Sequence, residues 1–258
     1  MAGREAMTVS PGEPHPFVTL GLDAPGLVGR TGRGVQVAVL DSGVNPDNPH
    51  VHKTGSPESV DEYGEVTPGG SDRLGHGTAV TAVIQEKAPE AGIQVVRVFH
   101  GELATTVLGL ARALDLARER GCRVVNLSLG TPEPRWLDLL GEAVERAVAD
   151  GILLVSPREH RGRRWWPGSF PGVMGVLLDD GCPRHAIRLM AGPGGEPVIR
   201  ASGFPRPIPG VPPERNLRGI SFASANATGI LCRLLEAETE LRGTEEVAER
   251  IRDLGIPS

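Results

Sequence analysis

Residues 35–43 read Val-Gln-Val-Ala-Val-Leu-Asp-Ser-Gly. The stretch Val35–Leu40 is apolar with β-branched residues, the pattern of a buried strand, and it ends in a carboxylate, Asp41. Working outward, Ile93–Phe99, Arg123–Leu129, Ile152–Val155 and Gly172–Leu178 read as further strands. Between them the apolar spacing turns helical. His76–Lys87 reads as a helix, as does Thr105–Arg120, with Val107, Leu110, Ala111, Leu114 and Ala117 on one face. Trp136–Asp150 is a third, and Gly121 and Gly151 stand where these two should stop. Ile220–Leu235 reads as a long buried helix and Thr244–Leu254 as a surface one. Strands alternating with helices predict an α/β doubly wound fold, a mostly parallel sheet with helices on both faces. In such sheets sites gather at the carboxyl ends of strands, where Asp41 falls. Gly192–Pro213 reads as a long irregular stretch with short antiparallel strands.

Composition narrows the functions available. The 258 residues suffice for one large core. The net charge is -5 with both signs interspersed, so no basic block suggests nucleic-acid binding. No apolar run is long enough to cross a membrane. The three cysteines, Cys122, Cys182 and Cys232, do not suggest a disulfide framework and read as buried thiols. Met1–Pro16 shows no basic start followed by an apolar stretch, so no secretory signal is expected, and the expected location is cytoplasmic. No His/Cys set has zinc spacing and no acidic set has calcium-loop spacing, so neither metal nor cofactor is expected.

Two further segments complete a chemistry with Asp41. Gly75-His76-Gly77-Thr78 opens an apolar stretch, and Ser221 lies in Gly219-Ile220-Ser221-Phe222-Ala223-Ser224-Ala225. Each alone is weak: an Asp after a strand is often a cap, and a Ser before an apolar run often starts a helix. Together they supply an acid, a base and a nucleophile. Serine is a poor nucleophile until a histidine takes its proton, and the histidine needs a carboxylate to fix its tautomer. The chain order Asp, His, Ser is one of three known for this triad. Ser221 at a helix start would also have free N–H groups beside it for a developing oxyanion.

These motifs resemble those of the subtilisin-like serine proteases, the subtilase family, over roughly residues 30–255. Asp41-Ser42-Gly43 and Gly75–Thr78 match its acid and base motifs, Gly219–Ala225 loosely its serine motif, and Val125–Gly130 its groove strand. The resemblance implies the family's three-layer fold, residues 1–30 as an N-terminal extension and 31–258 as the peptidase domain. It implies a serine endopeptidase acting through an acyl-enzyme, with Asp41, His76 and Ser221 as triad. Ser128, Leu129 and Gly130 would pair with an extended polypeptide, and Trp166 would lie near the floor of the primary pocket. The family's second oxyanion donor is an asparagine; an ungapped match puts His160 there, and a slip of one residue puts Glu159 or Arg161 there. Ile220, Phe222 and Ala225 stand where the family has threonine, methionine and proline. An alternative is therefore a catalytically weak or inactive peptide-binding relative. Secreted members carry a folded propeptide and often a calcium loop. Neither is visible here, which suggests a selective intracellular processing protease. The basic loop from His160 to Trp166 suggests acidic groups near the cleaved bond, or else only a solvated surface. Oligomeric state is not readable from the sequence.

Overall fold

The computed structural model describes residues 17–212 and 215–257. One eleven-stranded sheet runs through it. Its parallel centre comprises β2 (Gln36–Asp41), β3 (Glu58–Val60), β5 (Gly92–Arg97), β6 (Val124–Leu127), β7 (Leu153–Pro157), β10 (Met174–Leu178) and β12 (Pro197–Ala201). Their spatial order is β12-β10-β7-β6-β2-β5-β3. Antiparallel strands finish both edges: β4 (Val66–Pro68) beside β3, then β11 (Ala186–Ala191), β1 (Val18–Gly21) and β13 (Ile256–Pro257) beyond β12. A separate hairpin pairs β8 (Glu159–His160) with β9 (Arg163–Arg164).

Strand alternation sorts the core into two layers. Val37 and Val39 of β2 face one cluster, with Val80 and Val83 of helix α1 (His76–Lys87), Ile230 and Leu231 of α4 (Ile220–Ala237), and Ile251 of α5 (Gly243–Leu254). Ala38 and Leu40 face the other, with Leu110 and Leu114 of α2 (Val107–Glu119) and Leu140 and Val144 of α3 (Leu137–Ala149). Both faces of the central strands are thus buried, which is why they read as continuous apolar runs. The result is a three-layer α/β architecture.

The chain leaves β2 toward β5 on one side and later returns to β6 on the other. That reversal opens a crevice beyond the carboxyl ends of β2 and β6, the place where such sheets hold ligands. One boundary needs correction. Residues 1–30 were expected as an extension, yet β1 lies within the sheet and Leu20 and Leu27 are fully buried in the core. Val18–Gly21 is too short for its period to show in sequence; its pairing with β11 and β13 is a long-range contact. Residues 1–16 lie outside the described residues.

Candidate active site

Asp41 is the last residue of β2 and is fully buried. Its Oδ1 accepts a hydrogen bond from the Ser42 N–H at 2.7 Å and lies 2.7 Å from Nδ1 of His76. A carboxylate oxygen can only accept, so Nδ1 carries the hydrogen and Nε2 is left as the free base. His76 begins α1. Burial opposes its protonation, but the hydrogen bond to Asp41 and the charges of Asp41 and Asp72 outweigh that and raise its pKa above the ordinary value of 6.5.

A residue not singled out in the sequence fixes this histidine. Asp72 Oδ1 accepts from the hydroxyl of Ser42 and from the N–H groups of Leu74 and Gly75 at 2.8–2.9 Å. Its Oδ2 accepts from the N–H and hydroxyl of Thr78 at 2.8 and 2.6 Å. Helix N–H groups in the first turn have no partner within the helix; here Asp72 takes that of Thr78, and the Ser42 hydroxyl takes that of Gly77 at 2.8 Å. Burial pushes against ionisation of Asp72, yet the bonds from Thr78, Ser42 and Gly75 hold its carboxyl below the usual value. The signal available was an Asp four residues before the histidine, opening a helix. Gly77 follows from close approach, since a Cβ there would lie 2.3 Å from the carbonyl oxygen of Gly43.

Ser221 is the second residue of α4, so its own N–H belongs to the first turn and has no acceptor inside the helix. A buried polar chain ties this helix start to the end of β6. Thr228 donates to Asn126 Oδ1 at 2.9 Å, Asn126 Nδ2 to Ser128 Oγ at 2.9 Å, and Ser128 Oγ to the carbonyl of Ser221 at 3.3 Å. The Ser221 hydroxyl in turn donates to the carbonyl of Ser128 at 3.2 Å. The Phe222 ring, at the family's methionine position, lies 6.1 Å from that of His76.

His76 and Ser221 open onto one cleft of about 430 Å³. Ser128, Leu129 and Gly130 line it, and so does His160. Glu159 and Arg161, the slipped alternatives, do not. Phe99, Leu103, Val107 and Leu110 supply an apolar part of its lining. Trp166 must be corrected by one residue: Trp165 lines the cleft, and Trp166 packs against the α2/α3 core. The reason is a backbone bridge. Thr131 and Trp166 exchange N–H···O bonds at 2.8 and 3.0 Å, which turns Trp166 inward and lays Trp165 over Gly130. Any Cβ at residue 130 would meet the Trp165 ring at 2.2 Å. The three cysteines are free and buried, and burial raises the thiol pKa of each, Cys122 to about 11. Among the described residues no three His, Cys, Asp or Glu side chains cluster as a metal site, and no helix is long and apolar enough to cross a membrane.

The Subtilase family model matches residues 32–156. Subtilisin Savinase of Lederbergia lenta is 32% identical over 213 residues, covering 78% of this chain and 73% of Savinase. The chain belongs to the subtilase family. By class it is a subtilisin-like serine endopeptidase. The alkaline protease of Alkalihalobacillus alcalophilus is also 32% identical over 213 residues, and this subtilase spans only 52% of that relative's length. Among solved structures, a cold-adapted subtilisin-like serine proteinase superposes with a TM-score of 0.67 at 20% identity, covering 86% of this chain and 82% of the other. The prenylagaramide maturation protease PagA superposes with a TM-score of 0.59 at 24% identity, covering 80% and 77%. At these identities the two structures speak for the fold alone.

Proposed function

We propose that this subtilase cleaves peptide bonds with Asp41, His76 and Ser221 as its catalytic triad, and that it acts as a selective intracellular processing protease. The observation that carries the triad is the 2.7 Å contact between buried Asp41 and His76 Nδ1, in the same cleft as Ser221 at the start of α4. The Ser221 hydroxyl turns about its Cα–Cβ bond from the Ser128 carbonyl to His76 Nε2. His76 takes its proton as Oγ attacks the substrate carbonyl, and Asp41 stabilises the imidazolium. The oxyanion meets the N–H of Ser221, and His160 supplies a second donor through a ring N–H. His76 then protonates the departing amine, leaving an acyl-enzyme that water opens by the reverse proton path.

The substrate lies extended along Ser128-Leu129-Gly130, whose main chain pairs with it without reading its sequence. The test of the triad is a fluorophosphonate probe read by intact mass, with Ser221→Ala as control. One adduct on the native chain and none on the control is the expected result. No adduct on a folded native chain would assign the cleft to peptide binding without turnover. A processing protease should cut a folded partner or a short linear peptide at one place. Indiscriminate digestion of casein would overturn the selective reading.

A further inference from the structure

We infer that the Glu159–Arg164 hairpin reads negative charge: the polypeptide bound in this cleft carries an Asp or Glu beside the bond that is cut, and Arg163 is the residue that selects it. This rests on the reading of the cleft as a peptide groove.

In the hairpin His160 is paired with Arg163 and Glu159 with Arg164. Residues directly opposite in an antiparallel pair project to the same face, and neighbours along a strand project to opposite faces. His160 lines the cleft, and the register turns Arg163 to the same face of the hairpin, exposed and just outside the residues that line the cleft itself. Glu159 and Arg164 take the other face, where Arg164 borders a different depression with Arg158 and Phe170. The turn between the strands is tight, with Arg161 at φ 52° and Gly162 at φ 74°, so the two strand ends are held in this register.

Charge on the hairpin points the same way. Arg158 is committed to Glu196. Arg161, Arg163 and Arg164 are exposed and form no ion pair among the described residues. Among the described residues no carboxylate lines the cleft; those that do are apolar, hydroxyl-bearing or histidine. The arginine charge beside the cleft is therefore not offset by any carboxylate in the described lining, and Phe99, Leu103, Val107 and Leu110 in that lining are uncharged. An arginine free of partners, with a planar fork matched to a carboxylate, is suited to hold an acidic side chain at the rim. Glu159, the nearest acid in sequence, is turned to the opposite face and does not cancel it.

The test uses the whole protein and a proteome-derived peptide mixture, with new termini read by mass spectrometry. For the native chain, Asp and Glu should be enriched near the cut by about 3- to 10-fold over Asn and Gln, somewhat above a fully exposed pair. Raising salt from 50 to 500 mM should shrink that preference. Arg163→Glu should abolish it or turn it toward Lys and Arg, and Arg163→Gln should weaken it. Arg164→Glu changes the net charge equally but lies on the other face, and should leave the preference intact. Cleavage with no acidic preference, or equal effects of the two charge reversals, would overturn the inference and leave the peptidase reading standing. A second measurement separates the two claims in the other direction. Fluorescence anisotropy of one labelled decapeptide and its Glu→Gln twin on the Ser221→Ala protein reports charge reading without turnover. Tighter binding of the Glu peptide, lost in Arg163→Glu, supports the inference even if the native chain cuts nothing. Equal binding of the twins counts against it.

Discussion

Asp41 and Asp72 hold the end of β2 to the start of α1, and Asn126, Ser128 and Thr228 hold the end of β6 to α4, through hydrogen bonds of 2.6–3.3 Å. At the cleft, the hairpin carries Arg161, Arg163 and Arg164, which form no ion pair among the described residues. The first region places atoms; the second offers charge. Proton transfer needs groups held at hydrogen-bond distance, so buried networks suit it. Selection of a partner needs a surface that can change without disturbing the fold, and exposed arginines on a short hairpin meet that need. Departures from the family pattern divide along the same line. Ile220 and Phe222 flank the serine but leave the polar chain from Thr228 to Ser221 whole, whereas His160 alters the wall itself.

The comparison can be broken by substitution. Ser221→Ala should remove about a million-fold of kcat, the loss measured for the corresponding change in subtilisin. A residual rate near the native one would move the nucleophile out of the first region. His160→Ala should lower kcat by about 10²–10³-fold with KM little changed, the measured cost of losing one such donor in subtilisin. His160→Asn should restore part of it. An unchanged kcat would confine His160 to the recognition wall.

Asp72→Asn probes the first region more gently. Its amide would face the Thr78 N–H, two donors together, so stability should fall by about 1–3 kcal/mol in denaturant unfolding. The same change removes a charge that raises the pKa of His76. Native activity requires neutral His76, so its rate should rise with pH through a midpoint above 6.5. In Asp72→Asn that midpoint should move down. An unmoved midpoint would separate Asp72 from the chemistry and leave it as a helix cap. Asp72 also adds stability, because its folded pKa is depressed. That contribution is present above 3.8 and lost as pH falls through the lower folded value.

The smallest expected effect lies away from the cleft. Lys87 is buried beside Glu86 at 2.6 Å, and burial lowers its pKa from 10.5 to about 8. Between those values the unfolded chain holds more protons than the folded one, so stability should rise with pH across that window. Lys87→Met should flatten the rise in denaturant titrations. An equal slope in both proteins would show that Lys87 keeps its proton when folded.

Much of the parallel core is legible because its signals are local. Ala38 and Leu40 alternate with Val37 and Val39, yet all four are apolar because helices cover both faces. The ends of α2 and α3 are announced by Gly121 and Gly151, which adopt φ of 67° and 74°. The edges are not legible. β1, β3 and β4 are short, and β1 finds its partners more than 160 residues away at β11. Asp72 looks like any polar loop residue until Ser42 and Thr78 close around it.

Asp41, His76 and Ser221, with the α/β order around them, could be read from residue types and spacing, since chemistry and periodicity are properties of neighbours along the chain. Folding alone settled three further matters: that Asp72 grips the histidine loop, that Trp165 rather than Trp166 walls the cleft, and that Arg163 shares the face of His160. Each depends on which of two adjacent side chains turns inward or on contacts across distant segments, and a one-residue step along an extended chain reverses the face without changing the pattern.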